Sequence, residues 1–340
     1  MKRAYLDWNA TAPIRPEARA AMLAAMDCLG NPSSVHAEGR AAKAIVEKAR
    51  GQVAEALGTS GADIVFTGSA TEAAALALAG QGYSSPAFEH DCVLAWTDVE
   101  AEAAPSKTAW QQVNSETGVI YDLPEGVGFS DAVQAFGKIP YGFAWSGAMR
   151  VIVSAHKFGG PKGVGALIVK KGTEVPPMLK GGGQEMGRRA GTENVIGIAG
   201  MGAAAKAAQH DLERGVWQIV EQNRNVFEER LLNEVPELLI FGKDVPRLPN
   251  TSYFAVKGWK AETQVMQMDL AGFAVSAGSA CSSGKVKASR VLKAMGYDEI
   301  TAGSAIRVSI GPSTTAAGLD SFADAWLKEY KRFKARQEGK

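Results

Sequence analysis

The chain has 340 residues, with 37 Lys and Arg against 36 Asp and Glu, a net charge of +1 with His neutral. That balance excludes the basic excess of a nucleic-acid or polybasic membrane-surface protein, and no apolar run reaches the roughly 18 residues of a membrane-spanning helix. At 46% hydrophobic and 21% charged the composition is globular, and the length fits one large or two medium domains.

In chain order, Asp7 and Asn9 arrive before the apolar core of a signal peptide could form, so none is expected. Pro13 and Pro16 precede an apolar-periodic stretch that predicts a helix over 17–29, stopped by Gly30. A second helix fits 39–57, with Arg40, Lys43, Glu47, Lys48 and Arg50 on its solvent face. Residues 63–67 read as a short buried strand running through Gly68-Ser69-Ala70 into a helix beginning near Thr71. Further strands are predicted at 92–96, 126–129, 150–154 and 164–169. Strands alternating with helices mean an α/β fold with a mostly parallel sheet. From Asn194 to about Leu232 the chain is Ala-rich and helical, long enough to bridge two domains. Beyond it come strands at 238–241 and 252–256, a helix at 261–270 and a strand at 273–276. Helices at 288–295 and 316–333 flank a strand at 305–310. This mixture predicts a smaller α+β domain at the C-terminus. The chain shows no internal repeat and no low-complexity tract.

Four places could carry chemistry. Lys157 closes Ser154-Ala-His-Lys157 at a predicted strand end, before a turn with glycines at 159, 160, 163 and 165. Desolvation lowers the pKa of such an amine and suits it to act as a base or Schiff-base nucleophile. The plainer alternative is a surface lysine beside a loop, which His156 and the glycines weigh against. Gly68-Ser69-Ala70-Thr71 opens a helix, whose first amides suit a phosphate, or Ser69 or Thr71 simply caps it. Asp131-Ala-Val-Gln134 puts a carboxylate at the sheet edge where α/β proteins bind ligands. There it either meets a cation such as a protonated heterocyclic nitrogen or caps a turn. Cys281 lies in a run of small residues, Ser276-Ala-Gly-Ser-Ala-Cys281, and is a candidate nucleophile if its pKa is lowered. Cys28 and Cys92 read as small buried hydrophobes. Three cysteines make no disulfide framework, so a reducing, cytoplasmic setting is expected. No Cys/His spacing suits zinc, and no metal is expected. His90 precedes the strand predicted at 92–96 and so falls at the same edge, whereas His210 reads as a solvated helix residue.

Read together, these segments resemble the cysteine desulfurases, members of the class V aminotransferase group of pyridoxal-phosphate enzymes, in the branch that includes NifS. The similarity runs from Tyr5-Leu-Asp-Trp-Asn-Ala-Thr-Ala-Pro13 to Ala305-Ile-Arg-Val-Ser-Ile-Gly311. It takes in Asn31-Pro-Ser-Ser-Val-His36, Phe66-Thr-Gly-Ser-Ala-Thr-Glu72, Asp131 to Gln134, Ser154 to Lys157, Gly181 to Thr192 and the Cys281 loop. The resemblance implies the type I fold of pyridoxal-phosphate transferases. A large cofactor domain would span 15–208, and a small domain of 1–14 with 209–340 would carry the Cys281 loop.

The resemblance also implies roles. Lys157 would bond pyridoxal 5'-phosphate and later take the substrate's Cα proton. Asp131 would keep the ring nitrogen protonated, Gln134 would bond the phenolic oxygen, and His90 would stack on the ring and shuttle protons. Thr71, Ser154, His156 and the backbone at Ala70 would hold the phosphate. Thr192 would reach the phosphate of the other subunit, which implies a homodimer. Arg307 would clamp the carboxylate of L-cysteine, with Asn9 and Asn114 also on the substrate side. Cys281 would attack the substrate sulfur, leaving alanine and an enzyme persulfide for a sulfur-acceptor protein. Selenocysteine lyase, another lyase, or a non-catalytic scaffold subunit are the competing readings.

Two departures stand out. The family commonly has a second Asn where this chain has Ser115, in Asn114-Ser115-Glu116-Thr117-Gly118. His90 and Asn114 are only 24 positions apart, and Ser115 and Asp131 only 16, both shorter than in typical relatives. The chain therefore reads as a compact member, with the cofactor frame kept and its cover reduced.

Overall fold

A computed structural model of the chain describes residues 3–59, 61–278 and 287–338. The chain divides into two compact units. One comprises Thr11–Val113 and Tyr121–Arg214, the other Met1–Ala10, Asn114–Ile120 and Gly215–Lys340.

The first unit is built on a sheet whose strands lie in the order Ala62–Thr67, Gly165–Lys170, Arg150–Ser154, Phe129–Asp131, Ala109–Gln111. Only Gly165–Lys170 runs antiparallel to its neighbours. The other ladders are parallel, and beyond them Tyr83–Ser85 pairs in parallel with Thr97–Val99 and bridges to Thr108. The sheet is thus mostly parallel. Its central strands are continuous apolar runs, with Val151, Ile152, Val153 and Ala166 through Val169 inaccessible to solvent, as strands covered on both faces must be. Pro16 opens the first helix, Pro16–Met26, where a missing N–H does no harm. The helix Ala37–Ala56 turns a stripe of Ala42, Val46, Ala49 and Val53 inward. Both pack against the Ala- and Gly-rich helix Val195–Glu213.

Three predicted elements differ. Residues 92–96 are not a strand. His90 accepts a hydrogen bond from the Cys92 amide and starts a short helix, Asp91–Leu94. That helix packs on the helix Ala70–Leu78, and the strand follows at Thr97–Val99. A short apolar run does not by itself distinguish the two. His90 therefore precedes a helix. The strand predicted over 126–129 begins at Phe129, because Gly126 is in the left-handed region and turns the chain. The long helix from 194 breaks at Gly215 into Val195–Glu213 and Val216–Glu234, one in each unit.

In the second unit, Thr251–Ala255 is the middle strand of a three-stranded antiparallel sheet between Ala305–Ser309 and Leu239–Ile240. Ala4–Tyr5 pairs in parallel with Phe273–Ala274. The helix Ala316–Glu338 buries Trp326 against Phe254, Trp259 and Tyr330, and the indole N–H donates to Gln264 at 3.0 Å. Among the described residues no helix is long and apolar enough to cross a membrane.

Candidate active site

The residues singled out in the first unit collect at the carboxyl ends of its strands, the edge where open α/β sheets bind ligands. Asp131 is the last residue of Phe129–Asp131 and Ser154 the last of Arg150–Ser154, followed by the 3-10 turn Ala155–Lys157. Thr67 ends its strand, and Gly68 and Ser69 lead into the helix Ala70–Leu78. Gly165 lies in register with both Thr67 and Ser154. A Cβ there would come within 2.5 Å of the Ser69 carbonyl carbon and 2.7 Å of the Ala70 nitrogen, so only glycine lets the 68–71 turn seat this closely.

Ser69 caps the helix, its Oγ accepting from the Glu72 amide at 3.1 Å, while Glu72 Oε2 accepts from the Gly68 amide at 2.7 Å. The capping alternative therefore holds for Ser69. It is compatible with a phosphate, since the amides of Ala70 and Thr71 in the first turn have no intrahelical acceptor. Thr71 is exposed and Ala70 buried. Glu72 also pairs with Arg189 at 2.8 Å. Three residues beyond Arg189 is Thr192, exposed on the same loop.

Asp131 is buried, and its Oδ1 accepts from the Val133 amide at 2.8 Å, so the turn-capping alternative also holds. Burial raises its pKa, and His90 in its protonated form, the Val133 amide and the Lys157 ammonium oppose that rise. His90 is exposed. Its Nδ1 accepts from the Cys92 amide at 3.1 Å and lies 3.0 Å from Cys92 Sγ, which puts the proton of the neutral ring on Nε2. Lys157 is half-buried. His156 Nδ1 lies 3.1 Å from Thr11 Oγ1. Burial first, then Lys157, Lys162 and Lys138, lower the His156 pKa to about 4, so the ring is neutral at physiological pH. Gln134 is buried, with its side-chain oxygen bonded to Lys138.

Two residues of this edge escape a reading of the sequence. Glu89 is 0% exposed, and burial, then the charge of Asp131, pushes its carboxyl up to about 8. Lys138 is 1% exposed. A charged residue next to a histidine, or one turn after a glutamine, carries no signal of burial. Cys92 is buried as expected, whereas Cys28 is partly exposed. Among the described residues no group of three His, Cys, Asp or Glu could hold a metal.

The donor set fits pyridoxal phosphate. It offers an amine at Lys157, a buried carboxylate for a ring cation at Asp131, and a helix N-terminus with Ser154 and neutral His156 for a phosphate. It also offers an amide at Gln134 for a phenolic oxygen.

In the second unit, Arg307 sits in the strand Ala305–Ser309 and is 4% exposed. One guanidinium nitrogen donates to the Ser115 carbonyl at 2.8 Å and the other to Asp7 Oδ1 at 2.9 Å. Its Nε is buried without a partner among the described residues. Asn9 Nδ2 donates to Thr251 Oγ1 at 2.8 Å and weakly to the Ser115 carbonyl at 3.4 Å, while its Oδ1 accepts from Asn250 at 3.1 Å. Asn114 Oδ1 accepts from the amides of Glu116 and Thr117 and from the Thr117 hydroxyl, fixing the turn. What that turn presents to Arg307 is the backbone carbonyl of Ser115, whatever the side chain. Glu116, another residue the sequence did not mark, accepts from Ser289 at 2.5 Å and Tyr253 at 3.2 Å, and burial raises its pKa. Cys281 lies outside the described residues.

A fold and a donor set of this kind agree with the sequence comparisons. The aminotransferase class-V family model matches residues 4–127 and 109–322, and the chain belongs to that family, whose enzymes depend on pyridoxal phosphate. Relatives that the chain matches include cysteine desulfurases of several bacteria. The one from Cereibacter sphaeroides is 36% identical, covering 94% of each chain. The one from Klebsiella pneumoniae is 37% identical, covering 94% of this chain and 91% of its own. Among solved structures, a NifS-like protein from Rickettsia africae superposes with a TM-score of 0.87 at 30% identity, covering 97% of this chain and 99% of that one.

Proposed function

We propose that this chain is a pyridoxal-phosphate-dependent cysteine desulfurase. It converts L-cysteine to L-alanine and carries the sulfur as a persulfide on Cys281 to an acceptor protein, as in iron–sulfur cluster assembly. It works as a cytoplasmic homodimer. The observation that carries the reading is the buried carboxylate of Asp131 at the carboxyl end of its strand, next to the strand that leads into the Ala155–Lys157 turn.

When bound, pyridoxal phosphate supplies an electron sink that acidifies the Cα proton of an amino acid. The residues divide the remaining tasks. Lys157 Nζ would hold the cofactor and would serve as the base for the Cα proton. Asp131 holds the ring nitrogen protonated by a charge-assisted hydrogen bond. Exposed His90 would stack on the ring, with Nε2 carrying the proton of its neutral form. Gln134 serves the phenolic oxygen. Neutral His156, with Nδ1 3.1 Å from Thr11 Oγ1, would offer its Nε2–H to the phosphate in the tautomer where Thr11 donates, beside Ser154, Thr71 and the Ala70 amide. Thr192 serves the phosphate held by the second copy.

Arg307 holds the substrate carboxylate, with Asn9 and Asn114 fixing the surrounding backbone. The Cys281 thiolate attacks the sulfur of L-cysteine. The new S–S bond forms as the C–S bond breaks, its electron pair returns to the substrate carbon, and protonation there completes alanine.

The test is the absorption spectrum of the cofactor-loaded protein before and after L-cysteine, with alanine assayed in the same tube. A visible band that shifts as alanine accumulates supports the reading. A band without alanine, or no band at all, refutes it.

A further inference from the structure

Lys138 has no place in the chemistry above, yet it is almost wholly buried, and burying an ammonium is costly unless it is bonded. Its Nζ bonds Gln134 Oε1, four residues back. The chain returns it there through turns closed by Phe136 N–H to Ala132 O at 2.9 Å and Lys138 N–H to Ala135 O at 3.1 Å. Gly137, at φ +77°, makes the last corner, and a Cβ there would strike Ala208 at 2.9 Å and Phe158 at 3.0 Å. The backbone turn that brings Lys138 back to Gln134 is therefore tightly fixed.

An ammonium has only donors and an amide has one end of each kind. With Nζ against it, the oxygen of Gln134 must face Lys138, and the NH2 end is the one turned away. A phenolic oxygen that carries negative charge needs a donor. We propose that Lys138 is a positioning residue that locks the Gln134 amide with its NH2 toward the phenolic oxygen of the cofactor. The inference rests on the pyridoxal-phosphate reading, with Gln134 in the role given above.

The experiment compares cofactor-loaded wild type with Lys138→Met, Lys138→Gln, Gln134→Met and the Gln134→Met, Lys138→Met double variant. Two readouts are followed, the pKa of the visible band of lysine-bound cofactor and the retention of cofactor on dialysis. A donor on the phenolic oxygen draws off negative charge, so the proton beside it leaves at lower pH. Lys138→Met should raise the band pKa by about one unit and weaken retention about tenfold, the size of one lost charge-assisted contact. Lys138→Gln still offers an N–H to Gln134 and should stay near wild type, which tests the idea even if the Met variant does not fold. On the Gln134→Met background, Lys138→Met should add nothing.

A wild-type band pKa and wild-type retention in Lys138→Met overturn the proposal. So does a shift in Lys138→Gln as large as in Lys138→Met, and so does a full extra shift in the double variant. A wild-type protein without the band, or a Lys157→Ala variant that keeps it, instead brings down the cofactor reading itself.

Discussion

Replacing Glu89 by Gln should stabilise the chain above neutral pH and change it progressively less toward acid. The Glu89 carboxyl is shut off from solvent, and its pKa rises from 4.5 to about 8. Burial is the main cause and the negative charge of Asp131 the second. The Gln111 and His90 amides and the His90 charge pull the other way and lose. Tyr121 and Cys92 feel the same carboxylate. Because the folded value lies above the unfolded one, the native chain keeps a proton that the unfolded chain releases. The associated stability is fully present below pH 4.5 and is lost as pH climbs through 8. At about 1.4 kcal/mol per pH unit the whole window is worth on the order of 5 kcal/mol, and pH 6 to 8 about 3 kcal/mol. Gln cannot ionise, so the variant lacks this slope. In a chain of this size, 3 kcal/mol corresponds to roughly 4 °C in Tm. Thermal melts of cofactor-free wild type and Glu89→Gln at pH 6, 7 and 8, at one ionic strength, read it directly. A Tm difference that is the same at all three pH values would refute the reasoning.

Other outcomes follow from the same sites. Cys281→Ser should retain the cofactor band and form no persulfide, and undiminished sulfur release with dithiothreitol would remove Cys281 from its role. Gly165→Ala pushes a methyl into the Ser69–Ala70 backbone, so it should destabilise the chain by about 2 kcal/mol and weaken inorganic phosphate or cofactor binding. Unchanged affinity would show that the 68–71 turn is not the phosphate seat. Ser115→Asn adds an amide next to the Arg307 guanidinium and should lower the KM for L-cysteine severalfold, and an unchanged KM would show that the Ser115 carbonyl is sufficient.

Much of the placement of the candidate site residues is legible in the sequence because it is local. Asp131, Ser154 and Lys157 each end or follow an apolar run, and a polar residue at that point of an α/β chain falls at the edge where ligands bind. The 68–71 turn is legible for the same reason, although its Ser69 serves as a cap. What is not legible depends on what folds over a residue. Glu89 and Lys138 look like ordinary solvated charges until the strands beside them are assembled. Residues 92–96 carry a strand's composition, but capping by His90 decides for helix, and a propensity cannot foresee a side-chain cap. In sequence, the Ser115 departure leaves open whether the contact is lost, bridged by water or taken over by Asn114. In the structure the backbone carbonyl at that position meets Arg307, which no side-chain comparison could reveal.

The lone antiparallel strand gives the two rims of the cradle different histories. Ser154 and Gly165 pair across 11 positions, whereas Thr67 and Gly165 pair across 98. Closing the longer loop costs about 2 kcal/mol more chain entropy, so Ala62–Thr67 is expected to join late, with the 68–71 turn. A ligand bonded to Lys157 and seated on Ala70 and Thr71 ties that seam shut. Such a ligand would span roughly 85 residues of chain, as a cross-link does, and its release should let the 62–67 strand part first.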